Sequence, residues 1–231
     1  MGHQAHVDVA RPVQWLEDSI EAVDEVDPGL LQAITELDVN SSTENQGADV
    51  SGAPVDPYSP AFENDEDAAA EVGYYYRDLF AMLRQNSKSV DSVTFWGISN
   101  ARSWLRTWPT ARPWEQPLPF DDDLQAAPAY WGIVDPSRLP ARPADVLAPR
   151  IADVSTLRAV ASGPRGEKLD YTLPSTIDTR DGVVPVDCDP APWSRFPVGT
   201  TTVTCTATDA AGNTRTSSFD VIVTRKVPGK P

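Results

Sequence analysis

Residues 31–39, LQAITELDV, constrain the fold more than any other stretch, because they read as the interior of a strand and yet carry two carboxylates, Glu36 and Asp38. The apolar and β-branched residues Ala33, Ile34, Thr35, Leu37 and Val39 suit a parallel strand covered on both faces. Helical stretches at 14–26 and 66–86 supply that cover, so a βαβ chain is the expected context. Lone Glu and Asp are seldom fully buried. Two acids at i and i+2 near the end of a strand project to the same side, and strand ends are where parallel barrels keep their chemistry.

The flanking sequence repeats the strand–helix alternation. Residues 2–9, GHQAHVDV, read as a short strand in which Gln4 and His6 share a face. Pro12 precedes a helix with Leu16, Ile20 and Val23 at i, i+4 and i+7, ended by Pro28-Gly29. Residues 40–64 form a long, polar, acidic loop to which no role is assigned. A second helix opens on Asp65, Glu66 and Asp67 and carries Val72, Tyr75, Tyr76, Leu79, Phe80 and Leu83 on one stripe, which reads as core. Ser92–Ile98 is a third strand, and Gly97 after Trp96 marks a bend or a close backbone approach. A loop rich in tryptophan follows, with Trp104, Trp108 and Trp114.

Between Pro136 and Ala161 prolines recur without a period, which reads as a semi-rigid linker over 136–156 separating two domains. Beyond it, Val184, Val186 and Cys188 share one parity, as do Val203, Cys205 and Ala207, and Phe219, Val221 and Val223. Three alternating strands with a turn over Asp209–Asn213 describe a small antiparallel sandwich over 157–224, followed by a tail at 225–231. Both cysteines fall on the inward register, so a Cys188–Cys205 bridge and two separate buried thiols are both open readings. A bridge implies an oxidising compartment.

A formal charge of −15 without a Lys/Arg cluster excludes nucleic acid and anionic membranes as natural partners and suits a neutral substrate. No apolar run approaches the roughly 20 residues of a membrane span. The first ten residues lack the basic start and hydrophobic core of a signal peptide, and Met1 is compatible with an internal methionine of a longer frame. Two His and two distant Cys do not give metal-ligand spacing, so no metal and no cofactor is expected. Asn40-Ser41-Ser42 matches the three-residue glycosylation acceptor pattern.

The order GHQAHV, ITELDV, VTFWGISNARSW and PLPFDDDLQAAPAYWGI resembles the C-terminal part of a glycoside hydrolase family 10 catalytic domain, the endo-β-1,4-xylanases, over residues 1–135. FPVGTTTVTCTATDAAGN resembles a hyalin-repeat (HYR) module, an immunoglobulin-like sandwich. The resemblance implies an α/β fold, the last three strand–helix units of a (β/α)8 barrel, followed by that sandwich. It implies that Glu36 is the nucleophile of a retaining glycosidase, oriented by His6 and Asp38. Gln4 would lie beside the bound sugar, and Trp96 and Trp104 would wall the subsite next to the cleaved bond. Asn100 stands where the family's W-G-x-x-D-x-x-S-W pattern has Asp. The implied partner is xylan or a related β-1,4-linked polysaccharide, the implied location extracellular; the partner of the HYR module is unknown.

Elementary chemistry agrees with these roles. A carboxylate must be ionised to attack an anomeric carbon, and an imidazole N–H donor favours that form. Aromatic faces receive the C–H edges of sugar rings and leave hydroxyls free. Singly, His6 reads as structural and Trp96 as core; only the constellation favours a site. His3 stands outside it. A whole barrel takes roughly 250 residues, so five strands, and with them the acid/base Glu of the family, are expected to lie outside this sequence. Glu63, Glu66 and Glu71 do not resemble that motif. Two functions compete: the nucleophile half of a xylanase, or a non-catalytic secreted carbohydrate-binding or adhesion protein.

Overall fold

The computed structural model describes residues 1–9, 11–41, 65–107 and 113–225 and divides into two compact units, Met1–Val146 and Leu147–Pro231. Most of the 40–64 loop, with Glu63 and the Ser42 of the acceptor pattern, lies outside the described residues, as do Trp108 and tail residues 226–231.

The first unit runs β1 (Gly2–Asp8), α1 (Gln14–Val26), β2 (Gln32–Asn40), α2 (Asp65–Gln85), β3 (Val90–Phe95) and α3 (Pro128–Val134). The three strands form a parallel sheet with β2 between β1 and β3. The expected α/β alternation is therefore present, as the fraction of a barrel sheet that three strand–helix units build. One face of the sheet and the stripe of α2 share a core of Ile20, Ile34, Leu37, Val39, Val72, Tyr76, Leu79 and Leu83. Each large aliphatic side chain buried there is worth about 1.5–3 kcal/mol relative to exposure. Helices α2 and α3 touch backbone to backbone at Gly73 and Gly132, where a Cβ on Gly132 would collide with the Gly73 carbonyl.

The stretch read as a 136–156 linker makes specific contacts at both ends. Residues 136–138 form a 3-10 turn, Tyr74 donates its hydroxyl to the Pro140 carbonyl at 2.9 Å, and Arg142 pairs with buried Glu71 at 2.6 Å. Further on, β4 (Arg150–Ile151) pairs antiparallel with β7 (Thr176–Ile177). Single anchoring side chains and two-residue strands leave no period in a sequence, which is why this stretch reads as a spacer.

The second unit adds β5 (Leu157–Val160), β6 (Glu167–Lys168), β8 (Val186–Asp189), β9 (Arg195–Phe196), β10 (Gly199–Thr208) and β11 (Thr214–Thr224). β8, β10 and β11 are the three alternating strands, joined antiparallel as expected. They form a four-stranded sheet ordered β5-β11-β10-β8, in which β5 runs parallel to β11, and two small two-stranded sheets accompany it. Phe196, Val203, Cys205, Phe219, Val221 and Val223 fill its core. Cys188 and Cys205 face each other across β8 and β10 and are disulfide-bonded.

Candidate active site

The site forms where β2 departs from a regular strand. Gln4 pairs with Thr35 and His6 with Asp38, so β2 spends three residues where β1 spends two; on the other side, Ile34 pairs with Val93 and Leu37 with Phe95, the same excess. The extra residue is accommodated at Glu36, whose φ of +56° is in the left-handed region that non-glycine residues rarely enter. Ile34 and Leu37, an odd number of residues apart, consequently face the same core. The bulge thereby sets Glu36 and Asp38 on the side opposite Leu37 and Val39 and re-aims the carboxylate of Glu36. Strain of about 1–3 kcal/mol of this kind persists where its surroundings hold it, and it concentrates at functional sites.

Three side chains converge on the two acids. Gln4 donates Nε2–H to Glu36 Oε1 at 2.9 Å. His6 places Nε2 at 3.2 Å from Glu36 Oε2 and Nδ1 at 2.9 Å from Asp38 Oδ1. Trp104 donates its indole N–H to Asp38 Oδ2 at 2.7 Å. The Asp38 side chain is 1% exposed and that of Glu36 24%, so the first is enclosed and the second is reachable from solvent. Carboxylates only accept, so a protonated imidazole, with two N–H donors, satisfies both at once. Burial works against charge on His6, but the hydrogen bond and charge of Asp38, and then those of Glu36, outweigh it and raise the His6 pKa above its ordinary 6.5.

Two tryptophans border this network. The rings of Trp96 and Trp104 stand edge-on to His6, with centroids at 6.2 and 5.2 Å. Trp96 follows the end of β3, donates its backbone N–H to Leu37 O at 2.9 Å, and stays 47% exposed. Gly97 has φ +141°, and a Cβ there would meet Leu118 at 2.8 Å, which is the close approach expected at that glycine. The predicted site residues Gln4, His6, Glu36, Asp38, Trp96 and Trp104 are thus brought together. His3 is not among them: its Nε2 lies 2.7 Å from Gln32 Oε1. Glu66 is exposed in the first turn of α2, and Glu71 is held by Arg142.

Supporting contacts that the sequence did not show lie behind the loops. Fully buried Asn100 accepts from Leu118 N through Oδ1 and donates its backbone N–H to Phe120 O, both at 2.9 Å, which locks the tryptophan loop to residues 118–120. Its Nδ2 has no hydrogen-bond partner among the described residues. Tyr76 donates to Pro117 O at 2.8 Å, and that carbonyl also accepts from Val39 N at 3.3 Å, tying the same loop to β2. Burial, then the charges of Asp38 and Tyr75, push the Tyr76 hydroxyl well above its ordinary pKa, so it remains a donor. The only sequence signal for this scaffold was the polar Asn100 among tryptophans.

Known proteins carry the same sequence features. Residues 1–136 match glycosyl hydrolase family 10, and residues 144–223 match the HYR domain. The chain is 36% identical over 140 residues to a thermostable celloxylanase of Thermoclostridium stercorarium, covering 60% of this chain and 33% of that protein. It is 30% identical over 187 residues to endo-1,4-beta-xylanase A of Thermotoga neapolitana, covering 80% of this chain and 15% of that protein. Among solved structures, xylanase B from Clostridium stercorarium F9 is similar at 34% identity and a TM-score of 0.47, covering 58% of this chain and 36% of that one. The chain thus spans a third or less of the length of these curated relatives. Because the family match takes in 136 of 231 residues, more than half, the chain belongs to glycosyl hydrolase family 10.

Proposed function

We propose that this chain carries the nucleophile half of a retaining glycosidase that cleaves internal β-1,4 bonds of xylan. The observation that carries the reading is Glu36, a solvent-reachable carboxylate on a strand bulge, held by Gln4 and His6 and bordered by Trp96 and Trp104. In this reading Glu36 attacks the anomeric carbon, and partners on both of its oxygens, Gln4 and His6, hold it aimed. His6 and Asp38 orient it, Gln4 lies beside the sugar, and the tryptophans take the C–H faces of the ring next to the cleaved bond. The three strands are the last three of a (β/α)8 barrel, and residues 157–224 form an immunoglobulin-like sandwich. The Cys188–Cys205 bond supports an extracellular location.

Retaining hydrolysis also needs a general acid/base carboxyl about 5–5.5 Å from the nucleophile. We assign that carboxyl to barrel strands that this 231-residue sequence does not contain, so residues 1–231 alone are expected to hydrolyse xylan poorly. The test is xylan hydrolysis by the 231-residue chain, by the reading frame extended upstream, and by that extension carrying Glu36→Gln. Activity confined to the extended frame and lost in Glu36→Gln is expected. Full activity in the short chain removes the missing-acid argument, and an active Glu36→Gln enzyme removes Glu36 from the chemistry.

A further inference from the structure

Trp193, in the second unit, stands apart from every residue used so far. It is 62% exposed, although a large aromatic ring gains by burial. Its φ of +66° lies in the region that suits glycine, so this position carries its indole against both solvation and backbone preference. The loop that presents it is stiff. Pro190 and Pro192 restrict the chain before it, Tyr171 donates its hydroxyl to Pro190 O at 2.5 Å, and Trp193 donates its own N–H to Leu169 O at 2.7 Å. On one side the loop continues β8, which the Cys188–Cys205 bond ties to β10; on the other it enters β9, whose Phe196 is fully buried.

The surroundings of the ring are polar and cationic, in a chain of net charge −15. The Lys168 ammonium lies over the ring at 5.7 Å from its centroid, and Arg195 pairs with Lys168 across β6 and β9. A rigid, exposed indole beside N–H donors is suited to a pyranose ring, whose C–H face packs on the aromatic while its hydroxyls or a uronate carboxylate meet the donors. A protein partner would call for a wider apolar surround, and here the Lys168 ammonium lies over the ring.

We propose that Trp193, with the Lys168 ammonium over its ring, is a second polysaccharide-binding site, on the HYR-type unit, that takes xylan by stacking. The choice of xylan rests on the function proposed above; the existence of the site rests on Trp193 alone. Preorganisation by the two prolines and the disulfide lowers the ordering cost that weakens binding on mobile loops.

The test is affinity electrophoresis of the 231-residue chain through native gels containing soluble glucuronoxylan or soluble neutral arabinoxylan. It is done in a Trp96→Ala background, which removes one wall of the other site. Retardation is expected to persist in that background. Trp193→Gly should lower it about fivefold in both gels, the scale of one aromatic stacking contact, while the melting temperature holds or rises, because glycine suits a positive φ. Lys168→Ala should weaken retardation most in glucuronoxylan, where a carboxylate is available. No retardation of the Trp96→Ala chain, or equal retardation after Trp193→Gly, overturns the proposal. Hydrolysis by the extended frame is read separately: an inactive extended frame with retardation lost in Trp193→Gly defeats the catalytic reading and leaves this one standing.

Discussion

Trp104 donates its indole N–H to Asp38 Oδ2 across 2.7 Å, and Asp38 Oδ1 faces His6 Nδ1 at 2.9 Å, so one buried carboxylate joins a wall of the site to the imidazole that holds Glu36. The tryptophan is therefore part of the electrostatic network as well as an apolar surface. Asp38, enclosed on all sides, has each oxygen matched by a ring N–H.

Trp104→Phe keeps an aromatic ring and deletes the N–H donor. A buried acceptor left short of a partner costs about 1–3 kcal/mol, so the urea midpoint should fall by a corresponding amount. A variant as stable as the parent would show that water or another donor replaces the indole.

His6 should make stability depend on pH. Its folded-state pKa is raised above 6.5, against the opposing effect of burial, by the hydrogen bonds and charges of Asp38 and Glu36. The charged imidazole thus contributes stability that is fully present below the unfolded value and is lost as pH rises through the folded value. Urea unfolding from about pH 5 to about pH 9 should show the parent losing stability relative to His6→Asn across that upper range. Parallel curves for the two proteins would mean that the imidazole has the same pKa folded and unfolded, so that Asp38 and Glu36 do not raise it.

Arg142→Ala should destabilise the first unit. It leaves Glu71, 2% exposed, without the guanidinium that pairs with it at 2.6 Å, and removing one partner of a buried pair costs about 3–5 kcal/mol. Arg142 is itself 26% exposed, and solvent screening places the expected loss below that range, at about 2–3 kcal/mol. An unchanged melting curve would make residues 136–146 the passive spacer that their prolines suggest.

Thiol labelling of unreduced, denatured protein should find no free cysteine, given the Cys188–Cys205 bond with a sequence separation of 17. Replacing both cysteines with serine should cost about 3 kcal/mol in the chain-entropy account of a loop of this size. Two labels per chain would contradict the bond.

The alternation of strand and helix, the apolar stripe of α2 and the inward register of both cysteines were legible in the sequence, because periodicity is a local property that burial imposes on each element separately. Gln4, His6, Glu36, Asp38, Trp96 and Trp104 were also legible as a set, but only through the resemblance of their motifs to a known family, since singly His6 reads as structural and Trp96 as core. The parallel strand β5, the contacts of Arg142 and the locking of the loop by Asn100 were not, since each depends on residues distant in the chain. Parity correctly put Glu36 and Asp38 on one side, but it did not show the bulge that turns them there. That displacement exists only because β1 and β3 each pair with β2 in a register one residue short, and only the tertiary structure decides a register.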